Sequence, residues 1–208
     1  MENQTEPEPE PKVIGLTGGI GSGKSTVAKF LMEMGFLVYN SDTRAKELVN
    51  ENNDLKSKIV SLLGEKAYDN EGKYDRKYVA DLVFNNKDLL EKLNSLIHPA
   101  VALDFAHWVH SQMAPLLFKE TALLFELRLH EKTDASLLVT ADDNIRMKRV
   151  MDRDGKTYRE VENVMDKQMS EREKCRKADF IIYNNGNLEE LESETKNIVE
   201  AIKDKFLG

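Results

Sequence analysis

Eight consecutive residues, Gly18-Gly19-Ile20-Gly21-Ser22-Gly23-Lys24-Ser25, limit what this chain can fold into more than any others do. They satisfy G-x-x-x-x-G-K-[ST], the phosphate-binding loop that joins a strand to a helix. Glycines let successive backbone N–H groups turn toward one centre without Cβ clashes, and the helix that follows adds its positive N-terminal end. The neighbours supply the frame. Val13-Ile14-Gly15-Leu16-Thr17 suits a short buried strand, and Val27, Phe30, Leu31 and Met34 recur on one helical face. Lys24 is expected along the β- and γ-phosphates of a nucleotide and Ser25 on Mg²⁺. The nucleotide site is therefore expected to comprise Gly18, Gly19, Ile20, Gly21, Ser22, Gly23, Lys24, Ser25 and Thr26.

At 208 residues the chain is long enough for one well-buried core with an inserted subdomain. A net charge of −7 argues against general affinity for nucleic acid or anionic membranes, so any basic site is local. Cys175 is the sole cysteine, which excludes an intramolecular disulfide and a cysteine-based metal cluster and fits a reducing compartment. No apolar run approaches the roughly 18 residues of a membrane span, and the N-terminus lacks the basic and apolar parts of a signal peptide. A cytoplasmic location is expected. Glutamates and prolines alternate through residues 1–11, a composition that favours solvated, disordered chain.

After the loop helix, Gly35 suits the position beyond its C-cap and Phe36-Leu37-Val38-Tyr39 reads as a second buried strand. Asn40-Ser41-Asp42-Thr43 follows, then a polar helix over Arg44-Val49. Ligands of open α/β sheets sit beyond the carboxyl ends of the strands, which would bring Asp42 to the same crevice as Lys24. Asp42 also suits a helix N-cap, and both readings stand. From Leu55 to Met113 the pattern is helical. Leu55, Ile59, Leu62 and Leu63 share one face, Tyr78, Leu82 and Val83 another, and Leu89, Leu90, Leu93, Leu96 and Ile97 a third. His98-Pro99 marks a boundary or kink, His98 alone reads as structural or capping, and Phe105 and Trp108 read as core.

Strand patterns resume at Leu116-Leu117-Phe118 and Ala122-Leu123-Leu124-Phe125, and again at Ala135-Thr140 and Phe180-Tyr183. Glu120 and Glu126 are weak candidates for a strand-end metal acid, since neither closes a clean four-residue apolar run. Arg146, Lys148, Arg149, Arg153 and Lys156 make a basic stretch with capping boxes at Thr157-x-x-Glu160 and Ser170-x-x-Glu173. Guanidinium forks suit the charge that spreads over a moving phosphoryl group, so an arginine-bearing lid is expected here. Asn187 caps a last amphipathic helix carrying Leu188, Leu191, Ile198, Val199, Ile202 and Phe206 inward. Strands alternating with helices indicate a three-layer α/β/α fold around a parallel sheet. Asn86-Lys87-Asp88-Leu89 is no N-K-x-D guanine reader, because its aspartate comes one position early within the helical block. A small-molecule kinase fits better, with two covers that exclude water. A kinase of nucleoside-monophosphate type and a nucleotide-dependent regulator remain as alternatives.

Taken in order, the run from Gly15 to Thr26, Asp42, Leu96-Ile97-His98-Pro99, Ala122-Leu123-Leu124-Phe125-Glu126, Arg149 to Gly155 and Ala178 to Gly186 closely resembles the dephospho-CoA kinase family from about Lys12 to the C-terminus. The resemblance implies a P-loop kinase that uses ATP with Mg²⁺ to phosphorylate the ribose 3′-hydroxyl of dephospho-coenzyme A. It implies a core over 12–44, 114–142 and 178–208, a helical acceptor-binding insertion over 45–113 and a helical lid over 143–177. Asp42, matching the second acid of a D-x-D pattern, becomes general base or hydroxyl-orienting group. Lys24, Arg149 and Arg153 join it as catalytic residues, His98 lies near the acceptor, and Asn185 and Gly186 lie by the adenine. The expected partner is the small-molecule acceptor, with no nucleic acid and no membrane, for a monomer or weak homo-oligomer. Three positions depart from the family. Asn40 stands where the first acid of D-x-D is usual, Ala122 replaces a proline, and Lys46 replaces a frequent arginine, so a bidentate contact does not carry over to it.

Overall fold

A computed structural model of the chain describes residues 10–208. The tail expected over 1–11 thus lies, for residues 1–9, outside the described residues. In chain order the elements are β1 (Lys12–Thr17), α1 (Lys24–Glu33), β2 (Leu37–Asn40), α2 (Ser41–Glu51), α3 (Asn53–Leu63), α4 (Arg76–Phe84) and α5 (Lys87–His110). There follow β3 (Leu116–Glu120), β4 (Ala135–Thr140), α6 (Asp143–Asp154), α7 (Tyr158–Met165), α8 (Glu171–Lys177), β5 (Phe180–Tyr183) and α9 (Leu188–Phe206). The described residues form two compact units, one running to Tyr39 and resuming at Gln112 to Gly208, the other Asn40–Ser111.

The first unit is built on a five-stranded sheet in the order β2-β3-β1-β4-β5. β1 pairs in parallel with β3 on one side, Leu16 opposite Glu120, and with β4 on the other, Thr17 opposite Leu138; β4 pairs in parallel with β5. Strand order reverses at β1, so a crevice opens beyond its carboxyl end, and that is where the glycine-rich loop leaves. Alternation divides each strand between two faces. Ile14, Leu16, Phe118, Leu137 and Val139 pack with Val27 and Leu31 of α1 and with Leu191, Val199 and Ile202 of α9. On the other face Leu124 lies over Gly15, where any Cβ would stand 2.7 Å from Leu124 Cδ1, and α8 packs on β4. α1 ends with Gly35 N–H bonded to the Met32 carbonyl and Phe36 N–H to the Leu31 carbonyl, which returns the chain to the sheet.

The second unit is helical, with α2, α3 and α4 each packed on α5. Arg44 of α2 grips Asp104 of α5 with two parallel bonds, Nε to Oδ2 at 3.0 Å and Nη2 to Oδ1 at 2.9 Å, and donates a third to Glu47. These carboxylates hold the guanidinium pKa above its ordinary value, Asp104 first. The sequence reading places a helical insertion over 45–113, whereas the compact unit takes in all of α2, because α2 packs on α3 and α5.

Several expectations are corrected. Ala122–Phe125 is no strand but the start of a turn over 122–128. The Leu127 N–H bonds the Leu123 carbonyl and the Arg128 N–H the Phe125 carbonyl, turn bonds in place of a sheet ladder. α5 runs unbroken through His98-Pro99, so the proline ends nothing and only leaves the Ser95 carbonyl without its helical donor. Val79, and not Tyr78 or Leu82, is the buried residue of α4. Phe105 and Trp108 are half-buried, their rings stacked 6.0 Å apart, and are not core. Leu188 is exposed at the start of α9.

Leu124 is fully buried and its neighbour Leu123 is 38% exposed. Urea unfolding should show Leu124→Ala losing ~2–5 kcal/mol and Leu123→Ala less than about 1 kcal/mol. Equal losses would contradict the turn.

Candidate active site

The loop after β1 is shaped by two left-handed glycines, Gly21 at φ 78° and Gly23 at φ 95°. At both a side chain is barred twice over, by that backbone angle and by neighbours, since a Cβ would overlap the Arg146 carbonyl at Gly21 and Asn184 Nδ2 at Gly23. Within the loop Ser22 N–H donates to the Gly19 carbonyl at 3.1 Å. The Lys24 N–H donates to Ser22 Oγ at 3.3 Å, and α1 starts there with Gly23 as an N-cap that carries no side chain. That is unusual in this molecule. Among the described residues, seven other helices are capped by a side-chain oxygen: Asn40, Asn52, Asp75, Asn86, Thr157, Ser170 and Asn187 serve α2, α3, α4, α5, α7, α8 and α9. Without an N-cap side chain, the positive end of α1 favours an anion.

Around this loop lies a cleft of about 490 Å³ lined by Gly18 to Thr26 together with Ala122, Arg149, Arg153, Val164, Gln168, Asn184 and Gly186 to Leu188. Its volume is in the range of small-ligand sites. Arg149 donates from Nη1 to the Asn184 carbonyl at 2.9 Å, and Asn184 Nδ2 donates to the Ser22 carbonyl at 2.8 Å. The β5–α9 turn is thereby tied to both the loop and the arginine. Arg153 stands at the rim with Nε and Nη2 on the two oxygens of Asp154, at 2.7 and 2.8 Å, and this partner raises its pKa.

Glu120 ends β3 in the strand next to β1 and is 4% exposed. Its Oε1 accepts a long bond from Ser25 Oγ at 3.4 Å and faces Lys24 Nζ at 3.5 Å. A hydroxyl and a carboxylate oxygen converging at a phosphate loop are hard donors of the kind a small divalent cation selects. Among the described residues no group of three or more His, Cys, Asp or Glu gathers to hold a metal unaided, so a cation here needs ligands from the nucleotide.

Of the residues expected from sequence, Gly18 to Thr26, Arg149, Arg153 and Gly186 line this one cleft. Asn185 does not line it; its Oδ1 accepts from Asp142 N–H at 2.8 Å and its Nδ2 donates to Asp142 Oδ1 at 3.2 Å, joining the turn to the end of β4. Asp42 and His98 belong to the helical unit. Asn40, not Asp42, caps α2, its Oδ1 accepting from Thr43 N–H at 2.8 Å. Asp42 stands exposed in the first turn of α2. His98 lies on an exposed side of α5, and partial desolvation lowers its pKa below the ordinary imidazole value. Asn184 and Asn187, of the turn expected by the adenine, do line the cleft, whereas sequence reading misses Gln168 and undervalues Glu120. The signal for Glu120 was its place at the end of an apolar strand, with glutamate where aspartate was sought. Gln168 lies in no motif.

A family model described as dephospho-CoA kinase matches residues 12–190. The dephospho-CoA kinase of Fusobacterium nucleatum is 38% identical over 190 residues, 91% of this chain and 98% of that one. Among solved structures, TT1252 from Thermus thermophilus is 34% identical with a TM-score of 0.81, covering 93% of this chain and 99% of that one. The dephospho-CoA kinase from Campylobacter jejuni is 27% identical with a TM-score of 0.70, covering 93% and 98%.

Gly23→Ala forces a side chain into both a left-handed backbone and the space of Asn184. Calorimetric titration should show nucleotide affinity falling at least about tenfold, with far-UV circular dichroism unchanged. Retained affinity would contradict the loop geometry described.

Proposed function

The chain belongs to the dephospho-CoA kinase family, and we propose how its residues share the work of that reaction. It is an ATP-dependent kinase acting on dephospho-coenzyme A, the last step of coenzyme A synthesis. The observation that carries the proposal is that Lys24 and Ser25, at the start of a helix whose N-cap is glycine, line a cleft edged by Arg149 and both meet the carboxylate of Glu120.

In this reading the loop amides and Lys24 hold the β- and γ-phosphates, and Arg149 meets the charge that grows on the moving group. Arg153 adds a second guanidinium from the rim. Ser25 and Glu120 hold Mg²⁺, which supplies charge neutralisation between the phosphates when bound. Gly186 and the Asn184 to Asn187 turn support the adenine. Asp42 orients the ribose 3′-hydroxyl and takes its proton as the oxygen bonds to the γ-phosphorus and ADP leaves. Two observations support that role: Asp42 matches the second acid of the family pattern, and Asn40 performs the capping that would otherwise occupy it. His98 is assigned to the acceptor side, with its pKa lowered by partial desolvation.

The enzyme is placed in the cytoplasm as a monomer or weak homo-oligomer without a nucleic-acid partner. The net charge of −7 supports the lack of a nucleic-acid partner, and no described helix is long and apolar enough to cross a membrane.

Asp42→Asn should lower kcat by 10²-fold or more with ATP affinity nearly intact, measured as ADP release coupled to dephospho-CoA. An unaltered rate would reject the assignment. For Glu120→Gln, the Mg²⁺ concentration giving half-maximal rate should rise about tenfold; an unmoved Mg²⁺ titration would remove Glu120 from the metal site.

A further inference from the structure

We infer that Gln168 is a positioning residue for the phosphate loop, acting through Ile20 as one half of a clip whose other half is Arg146. The inference rests on the nucleotide reading of the cleft. Ile20 sits at the tip of the loop, and both of its backbone polar groups are taken by side chains from outside the motif. Its N–H donates to Gln168 Oε1 at 3.0 Å, and its carbonyl accepts from Arg146 Nη1 at 3.3 Å. Arg146 comes from α6 and Gln168 from the short connection between α7 and α8, so one continuous stretch of chain closes on the loop from two sides.

The clip is held in turn. Arg146 is 4% exposed, and its Nη1 lies 3.4 Å from Glu171 Oε1. The same oxygen is 3.3 Å from Nζ of Lys174, which is wholly buried. Breaking one partner of such a buried ionic pair strands the other, so the guanidinium cannot swing away cheaply. The loop has no room to drift toward the clip: a Cβ added at Gly19 would collide with Arg146 Nη1 and stand 2.6 Å from Glu171 Oε1 and 3.3 Å from Gln168 Oε1. Gly19 is thus required by close approach, not by a left-handed backbone.

What this adds to the chemistry is preorganisation. Amides that must converge on an anion bind it best when their directions are already fixed, because ordering a loose loop would consume part of the binding energy. Gln168 fixes the tip while leaving the helix start open. Its own contact is with the main chain of the loop, so its contribution should appear wherever phosphates are bound and vanish where they are not.

Gln168→Met keeps the side-chain length and removes the acceptor, at a half-buried site where folding is safe. The probes are ATP, inorganic tripolyphosphate competing with ATP, and adenosine, in Mg²⁺ buffer, with the KM for dephospho-CoA measured beside them. ATP and tripolyphosphate should both bind about tenfold more weakly, with adenosine affinity and the acceptor KM unchanged. Gly19→Ala, which presses on the clip from the loop side, should show the same pattern. Undiminished tripolyphosphate binding in Gln168→Met would overturn the inference. So would a loss confined to ATP and adenosine, which would make Gln168 a nucleoside contact, or a parallel rise in the acceptor KM, which would make it a general structural residue. A wild-type chain that binds neither ATP nor tripolyphosphate would instead sink the nucleotide reading itself.

Discussion

An α-helix begins with N–H groups that its own backbone cannot satisfy, and in this protein the start of α1 meets that need without an N-cap side chain. Gly23 offers no side chain to the first turn, although serine, asparagine, threonine and aspartate perform that duty on most of the other helices. The residues of that turn line the cleft, where a polyphosphate meets the positive end of the helix. The rest of the first unit can be read as what keeps these amides converged without filling them. Asn184 supports Ser22 from β5, Arg146 and Gln168 hold Ile20, and the sheet fixes β1 behind them.

Much of this was legible from the chain because it is local. The phosphate loop, the capping boxes at Thr157 and Ser170 and the inward face of α9, apart from Leu188, depend on residues three or four apart and stand in the structure as spaced. What failed depends on distant partners. Leu123 to Phe125 is as apolar as a strand, yet no strand edge remains beside β3 for it to join, since β2 and β1 already flank that strand. Its leucine and phenylalanine are buried by a turn that closes over Gly15 instead. His98-Pro99 reads as a boundary or kink, and it is no boundary, because the packing of three helices along α5 outweighs one missing hydrogen bond.

The site shows the same division. Lys24 and Ser25 follow from a motif, whereas Glu120 is tied to them only because β3 is the sheet neighbour of β1, a fact of topology that spacing cannot reveal. Asp42 suits the cap on paper, and the structure gives it to Asn40. A departure from the family pattern at position 40 thereby acquires a local use. Asn185 is the reverse case: a turn residue expected at the nucleotide, spent on joining β4 to β5 through Asp142.

The central claim is that the amides from Gly21 to Ser25 are the groups that take the phosphates. Following their ¹H–¹⁵N resonances during titration with ADP, inorganic tripolyphosphate and adenosine tests this directly. The account predicts large shifts at Gly21, Gly23, Lys24 and Ser25 with the two polyanions and small ones with adenosine. Resonances that stay in place while the same sample turns over ATP would contradict it.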